Sequence, residues 1–303
     1  MNESLAHVPV LTEQVCTLLA VKTGETVVDA TVGLGGHAAL LAEGLGEPGW
    51  LIGFDVDPGN LEIARERLAH CRCRVDLAPE NFADLPTVLD SLGVQRVDVI
   101  LADLGVCSTQ LEDGARGFSF VNDGPLDMRM DPRLTTTAMD LVNRLKEREL
   151  GDLIYTNAQE PASRRIARRI CEVRRQGRIK TTGQLAEVIA GALRVNPKSH
   201  KAKIHPATRT FQALRIAVND EIGCLEKLLE AAPGVLNPGG RLGVIAFHSV
   251  EDKRVKLDFR KRKAEGVYRI ETKRPVVADE AERKRNPRSR SAKLRVAVRL
   301  PEK

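Results

Sequence analysis

"VVDATVGLGGHAALLAEGLGEPGWLIGFDVDP", Val27 to Pro58, is the stretch on which the fold turns. A β-branched apolar run reaches Asp29, and Gly33, Gly35 and Gly36 cluster directly after it. The pattern predicts a strand over Thr26–Thr31, a helix over His37–Leu45 and a second strand over Trp50–Val56. Glycines at a strand-to-helix turn let the backbone approach a ligand, and the helix start offers free N–H groups. Asp55 lies 22 residues beyond Gly33, close to the offset of about 20 at which an acid meets ribose hydroxyls. Asp57 precedes Pro58, which suits a first helical turn, so Asp57 reads as a helix cap and Asp55 as the ribose acid.

The spacing Gly-x-Gly-Gly departs from Gly-x-Gly-x-x-Gly and speaks mildly against a dinucleotide. It leaves a nicotinamide dinucleotide and S-adenosylmethionine both open. Outward from this unit the alternation continues. Strands are expected at Arg74–Ala78 and Val97–Ala102, with helices over Asn60–Ala69 and Ala83–Leu92. Asn81-Phe82, past the third strand, offers an aromatic face for adenine, although a core role fits Phe82 equally. Apolar strands alternating with helices imply a parallel sheet covered on both faces.

From Gly105 to about Thr210 no strand pattern appears. A glycine- and aspartate-rich loop (Asp113–Asp131) is followed by helical stretches near Thr137–Tyr155, Ala162–Gln176 and Thr182–Leu193. The rhythm then resumes with a helix over about Thr208–Leu229, with a break allowed within it, a fifth strand in "PGGRLGVIAFHS", a basic helix from Val250, and strands at Tyr268–Glu271 and Leu294–Leu300. A helical block interrupting one sheet is best explained as an inserted domain. The expected division is 1–112 with 207–303 for the α/β domain and 113–206 for the insertion.

An apolar fraction of 42% is ordinary for a protein with a real core. No run approaches the roughly 20 apolar residues of a membrane span, and the N-terminus lacks the pattern of a secretory signal. Six cysteines without framework spacing point to reduced thiols and a cytoplasmic protein. His70-Cys71-Arg72-Cys73 has no second ligand pair, and Asp123–Asp131 lacks the acid spacing of a calcium loop, so no metal is expected. The net charge of +6 is unevenly placed. Between Lys253 and Arg295 there are 17 Lys and Arg against 6 Asp and Glu, leaving the rest of the chain acidic. In "RRIARRICEVRRQGR", Arg164 to Arg178, Ile166, Ile170 and Val173 share one helix face and arginines fill the others. A solvated helix explains one such run; two favour a phosphate-rich partner. Aromatics make up 3% of the chain, which argues against an RNA-stacking platform.

Longer motifs are more specific. "HVPVL" near the start, "DATVGLGGH", "VILADLGVCSTQLEDGARGFSFVNDGPLDMRMD" (99–131), "HPATRTFQALRIAVNDE" (205–221) and "FHSVEDKRVK" (247–256) occur in order over nearly the whole chain. This set resembles the RsmH (MraW) family, S-adenosylmethionine-dependent enzymes that methylate N4 of a decoding-centre cytidine in bacterial 16S rRNA. The resemblance implies an α/β fold, a class I (Rossmann-like) methyltransferase sheet with an inserted helical domain for substrate recognition. It implies S-adenosylmethionine as cofactor and 16S rRNA in the small ribosomal subunit as partner, and leaves the oligomeric state unread. Matched position by position, it puts methionine-end contacts on Gly35, Gly36 and His37, the ribose acid on Asp55 and an adenine-side contact on Phe82. Asp103 and Gln110 complete the cofactor set.

Two positions depart from the family pattern: Cys107 stands where a serine is usual, leaving Ser108 in place, and Val250 replaces a leucine. The N4 amine of cytosine is a poor nucleophile, since its lone pair is delocalised into the ring. A site must orient it and accept its proton. Asp103, at the end of a central strand, is the candidate catalytic group. Ser108, His205, Arg209, Arg215, Phe247 and His248 are the candidate substrate residues. The target pocket is expected between Asp103, the Gly105–Gln110 loop and the 205–215 stretch. Two rivals stand beside this reading: an NAD-dependent oxidoreductase sharing the opening unit, and a non-catalytic RNA-binding assembly factor using the basic patches.

Overall fold

The computed structural model describes residues 8–195 and 205–302. Contacts divide the chain into two compact units, one of residues 1–105 with 222–303 and one of residues 106–221. The first unit holds a seven-stranded sheet: β1 (Thr26–Asp29), β2 (Trp50–Phe54), β3 (Arg74–Ala78), β4 (Val97–Asp103), β5 (Leu236–Ala246), β6 (Tyr268–Ile270) and β7 (Lys293–Arg299). Their order is β3-β2-β1-β4-β5-β7-β6. The first five strands run parallel and β7 is antiparallel to both its neighbours.

Successive side chains on a strand point to opposite faces, so each buried strand feeds two cores. Val27, Leu51, Val99 and Leu101 enter one, packed beneath the helices α1 (Thr12–Leu19), α2 (Gly36–Leu45) and α3 (Pro58–Leu68). Val28, Ile52, Ile100 and Ala102 enter the other with residues of α4 (Leu85–Ser91). The chain leaves β1 toward β2 and β3 on one side, then crosses to β4 and β5 on the other. The crevice at the carboxyl ends of β1 and β4 is thus the switch point where open α/β sheets bind ligands.

The second unit consists of α5 (Ser108–Glu112), α6 (Ala138–Arg144), α7 (Glu147–Ala158), α8 (Ser163–Arg174), α9 (Thr182–Leu193) and α10 (Thr208–Asn219) around its own apolar core. Among its described residues the only β feature is an isolated bridge between Pro125 and Thr181. The contact boundaries fall at 105/106 and 221/222, not at 112/113 and 206/207. The physical reason lies in α10, whose Phe211, Ala213, Leu214 and Val218 are buried in the helical core with Leu150 and Ile154 of α7. The helical stretch expected over Thr208–Leu229 carries the break allowed for it and forms two helices. Asp220 adopts a left-handed φ of 46° and ends α10, and α11 (Glu221–Val235) begins directly after it.

The first unit closes with α12 (Ser249–Ala264) and α13 (Glu280–Arg285), the latter unforeseen from the sequence. No helix among the described residues is long and apolar enough to cross a membrane.

Candidate functional site

The glycine turn follows β1. Gly33 and Gly35 hold φ of 50° and 78°, a conformation that any side chain would strain, and Gly35 caps α2. Asp55, immediately after β2, organises the neighbourhood. Its Oδ2 accepts from the Gly33 N–H at 3.0 Å and from Asn60 Nδ2 at 3.2 Å, and its Oδ1 accepts from the Asp57 N–H at 2.8 Å. Burial pushes its carboxyl up to about 6 against these stabilising hydrogen bonds. Asp57 caps α3 by accepting from the Gly59 N–H at 3.0 Å, with Pro58 in the first turn. The cap expected of Asp57 from the sequence is present.

His37 in the first turn of α2 is almost wholly buried, with its Nε2 3.5 Å from Asp103 Oδ2 at the end of β4. Burial alone would lower its pKa. Asp103, Asp29 and Glu282 more than offset that and hold the imidazole above its ordinary value. The Asp103 N–H donates to Thr31 Oγ1 at 2.6 Å, tying β4 to the glycine turn. Asp29, the last residue of β1, is 1% exposed, and burial pushes its carboxyl up to about 6. Its Oδ1 accepts from the Thr31 N–H, while among the described residues Oδ2, Nδ1 of His37 and Oδ1 of Asp103 are buried without a hydrogen-bond partner. Buried polar atoms left unpaired are costly, so such a cluster at a switch point marks a candidate site for a polar ligand. Sequence reasoning missed Asp29 and Thr31 as site residues. The signal was present in "DAT", but a strand-ending acid looks the same whether it is solvated or buried.

Phe82 opens a short 3-10 turn after β3, where Asn81 Oδ1 accepts from the Ala83 N–H. Half-buried, it packs against the edge of the second core. Phe247 and His248 follow β5. Phe247 packs against the first core, and His248 caps α12, its Nδ1 accepting from the Glu251 N–H at 3.3 Å. Gly35, Gly36, His37, Asp55, Phe82, Asp103, Phe247 and His248 therefore all sit at the carboxyl ends of the parallel strands or just beyond them.

The remaining candidates belong to the helical unit. Ser108 and Gln110 are buried in α5, where Gln110 Oε1 accepts from the Cys107 N–H at 3.2 Å. Cys107 is the N-cap of this helix, and its sulfur is a weaker acceptor there than a serine hydroxyl. His205 stacks on Phe120 with ring centroids 4.4 Å apart, and burial lowers its pKa. Arg209 is exposed, 3.7 Å from Glu160, whereas Arg215 makes a two-point ion pair with Glu221 at 2.7 and 2.8 Å. The Asp123–Asp131 loop is ordered internally. Asp123 accepts from the Gly183 N–H, and Asp127 pairs with Arg129 at 2.7 Å.

A sheet of this order with one reversed strand, a glycine turn after β1 and an acid after β2 defines a class I methyltransferase. A family model described as the MraW methylase family matches residues 4–300. A protein named ribosomal RNA small subunit methyltransferase H from Geobacter sulfurreducens is 48% identical, over 98% of this chain and 100% of that one. Its namesake from Koribacter versatilis is 47% identical, over 98% of this chain and 95% of that one. Another from Prochlorococcus marinus is 50% identical, over 92% of this chain and 86% of that one. This chain belongs to the MraW methylase family.

The methyl donor of such an enzyme is S-adenosylmethionine, and the first unit's residues fit it. The glycines at 33 and 35 carry no side chain at the end of β1. Among the described residues, Oδ2 of Asp29, Oδ1 of Asp103 and Nδ1 of His37 offer acceptors and an imidazole nitrogen, a set whose chemistry fits a zwitterionic tail and ribose hydroxyls.

Proposed function

We propose that this protein transfers a methyl group from S-adenosylmethionine to N4 of a decoding-centre cytidine in 16S rRNA, acting in the cytoplasm on the small ribosomal subunit or its RNA. The observation that carries the reading is near-full-length identity of 47–48% to relatives named for small-subunit rRNA methylation, joined to a polar site at the β1/β4 switch point. In this reading Gly35, Gly36 and His37 hold the methionine end, Asp55 accepts from the ribose hydroxyls, Phe82 flanks the adenine, and Asp103 and Gln110 complete the set.

When bound, S-adenosylmethionine supplies an electrophilic methyl on a sulfonium sulfur. The chain's own work is to orient the cytosine amine and to take its proton. Asp103 is suited to the proton: Oδ2 faces His37 at 3.5 Å and Oδ1 has no hydrogen-bond partner among the described residues. His37 Nε2 lies beside Asp103 Oδ2 and leaves Oδ1 as the oxygen free to face the amine. In this reading orientation of the amine supplies the larger share of the catalysis. A base inside structured RNA must leave its stack to reach such a site. Ser108, His205, Arg209, Arg215, Phe247 and His248 are the residues proposed to receive it, and residues 113–206 are proposed to recognise the surrounding RNA.

Mass mapping of 16S rRNA from cells with and without this protein tests the assignment. Loss of one methyl group from a single cytidine, restored by the wild-type chain and not by Asp55→Ala, is the expected result. An unchanged 16S methylation pattern would refute it.

A further inference from the structure

Residues 8–11 lie against the glycine turn. A Cβ at Gly36 would stand 3.2–3.4 Å from three ring atoms of Pro9, so the proline ring rests directly on the first residue of α2. Val10 and Leu11 continue into the core, 4% and 0% exposed. Leu11 takes φ 53° and ψ 34°, a left-handed conformation that costs a non-glycine residue on the order of 1–2 kcal/mol. It also sits at the N-cap of α1, where no side chain caps the helix.

What fixes this segment comes from the far end of the chain. The Leu11 N–H donates to Glu282 Oε1 at 2.6 Å, and Asn286 Nδ2 donates to the Val8 carbonyl at 2.9 Å. Glu282 belongs to α13, whose own start is capped by Asp279, and the helix is pinned on both sides by Ala278 and Ala292 in the first core. The bridge between Val276 and Leu294 ties this arm to β7.

We propose that residues 8–11 form a strap backing the cofactor turn, and that Glu282 and Asn286 are positioning residues that hold the strap against Gly36. The inference rests on the glycine turn being the S-adenosylmethionine site. Nothing in the reaction itself needs Glu282; its work is to keep a strained strap in register, so that the turn is already shaped when ligand arrives. The Glu282 carboxylate is also one of the charges acting on His37, so the arm contributes to the electrostatics of the turn as well as its shape.

The test is calorimetric binding of S-adenosylmethionine to the full chain, read beside hydrogen exchange of the cofactor-free protein. Glu282→Ala is expected to weaken affinity about 10-fold and to speed amide exchange over residues 10–16, leaving β4 and β5 protected as in the wild type. Glu282→Gln keeps an oxygen that accepts from the Leu11 N–H and should bind within about 3-fold of the wild type. Glu280→Ala, on the same helix, where the exposed carboxylate pairs with Lys284, should bind as the wild type does. Should Glu282→Ala fail to fold, Asn286→Ala carries the test with a smaller loss in both readouts. Unchanged affinity and exchange in the folded variants would overturn the proposal. So would equal losses in Glu282→Ala and Glu280→Ala, or in Glu282→Ala and Glu282→Gln. A wild-type protein that binds no S-adenosylmethionine would overturn the cofactor reading beneath it, an outcome distinct from wild-type binding that the variants leave untouched.

Discussion

A carboxylate buried at a strand end resists ionisation, and Asp29 and Asp55 both stand near 6 in the folded chain against an ordinary 3.8. Between those values the folded protein keeps protons that the unfolded chain has released. Each group's effect on stability is therefore absent below 3.8, grows more unfavourable as pH rises toward 6, and is constant above. Asp29 isolates the effect well, because an asparagine there retains the bond from the Thr31 N–H and replaces the unpaired Oδ2. Cofactor-free Asp29→Asn should be more stable than the wild type at about pH 7.5, by on the order of 2–3 kcal/mol. Calorimetric melting should show that advantage shrinking to nothing by pH 3.8; an advantage independent of pH would contradict it. Asp55→Ala removes a charge-assisted acceptor and should cost about 1.5–3 kcal/mol of S-adenosylmethionine affinity. Asp57→Ala should leave that affinity nearly intact while lowering stability by about 1 kcal/mol through the missing cap. A titration showing the reverse pattern would exchange their roles.

Elements with strong periodicity were legible in the sequence, and those defined by capping alone were not. The expected β1 to β5, α8 and α9 match the structure because apolar faces bounded by glycine, aspartate or threonine leave few alternatives. The single stretch expected over Thr137–Tyr155 is instead two helices, α6 and α7, parted by extended backbone at Leu145 and Lys146. α1 escaped because it starts from a left-handed Leu11 without a capping side chain, and α13 because six mostly charged residues carry no apolar period. In α8, Ile166 and Ile170 are buried as the face predicts, but the arginines divide into kinds that spacing cannot separate. Arg174 is structural: its guanidinium donates to the carbonyls of Val142 and Leu145, both at 2.6 Å, at the end of α6. Arg164, Arg168 and Arg169 are paired with acids. Arg165, Arg175 and Arg178 are exposed with no ion pair among the described residues. Reversing Arg175 and Arg178 to glutamate should weaken RNA binding with cofactor affinity unchanged. It should also flatten the salt dependence of that binding, by up to about 0.9 for each phosphate no longer neutralised. Arg174→Ala should instead destabilise the helical unit by about 2–3 kcal/mol. Filter binding across a salt series and melting curves separate the two; equal effects from both would show that the face has no RNA-facing side.

At the scale of the whole molecule, the sheet and its interruption were readable, and the boundaries were not. Residues 106–112 and 207–221 carry no compositional break; they belong to the helical unit because α5 and α10 pack on its core, a tertiary fact. Asp55 was singled out by its offset from the glycines and Asp103 by the family resemblance, but Asp29 became visible only once β1 was seen buried in the centre of the sheet.

The central claim is the identity of the atom methylated. Purified protein, S-adenosylmethionine with a labelled methyl group, and small ribosomal subunits or their RNA from cells lacking this activity test it most directly. Nucleoside analysis of the digested RNA should find the label in N4-methylcytidine at one position. Label on C5, on a ribose hydroxyl or on adenine, or a cofactor-loaded protein that methylates neither subunit nor RNA, would contradict it.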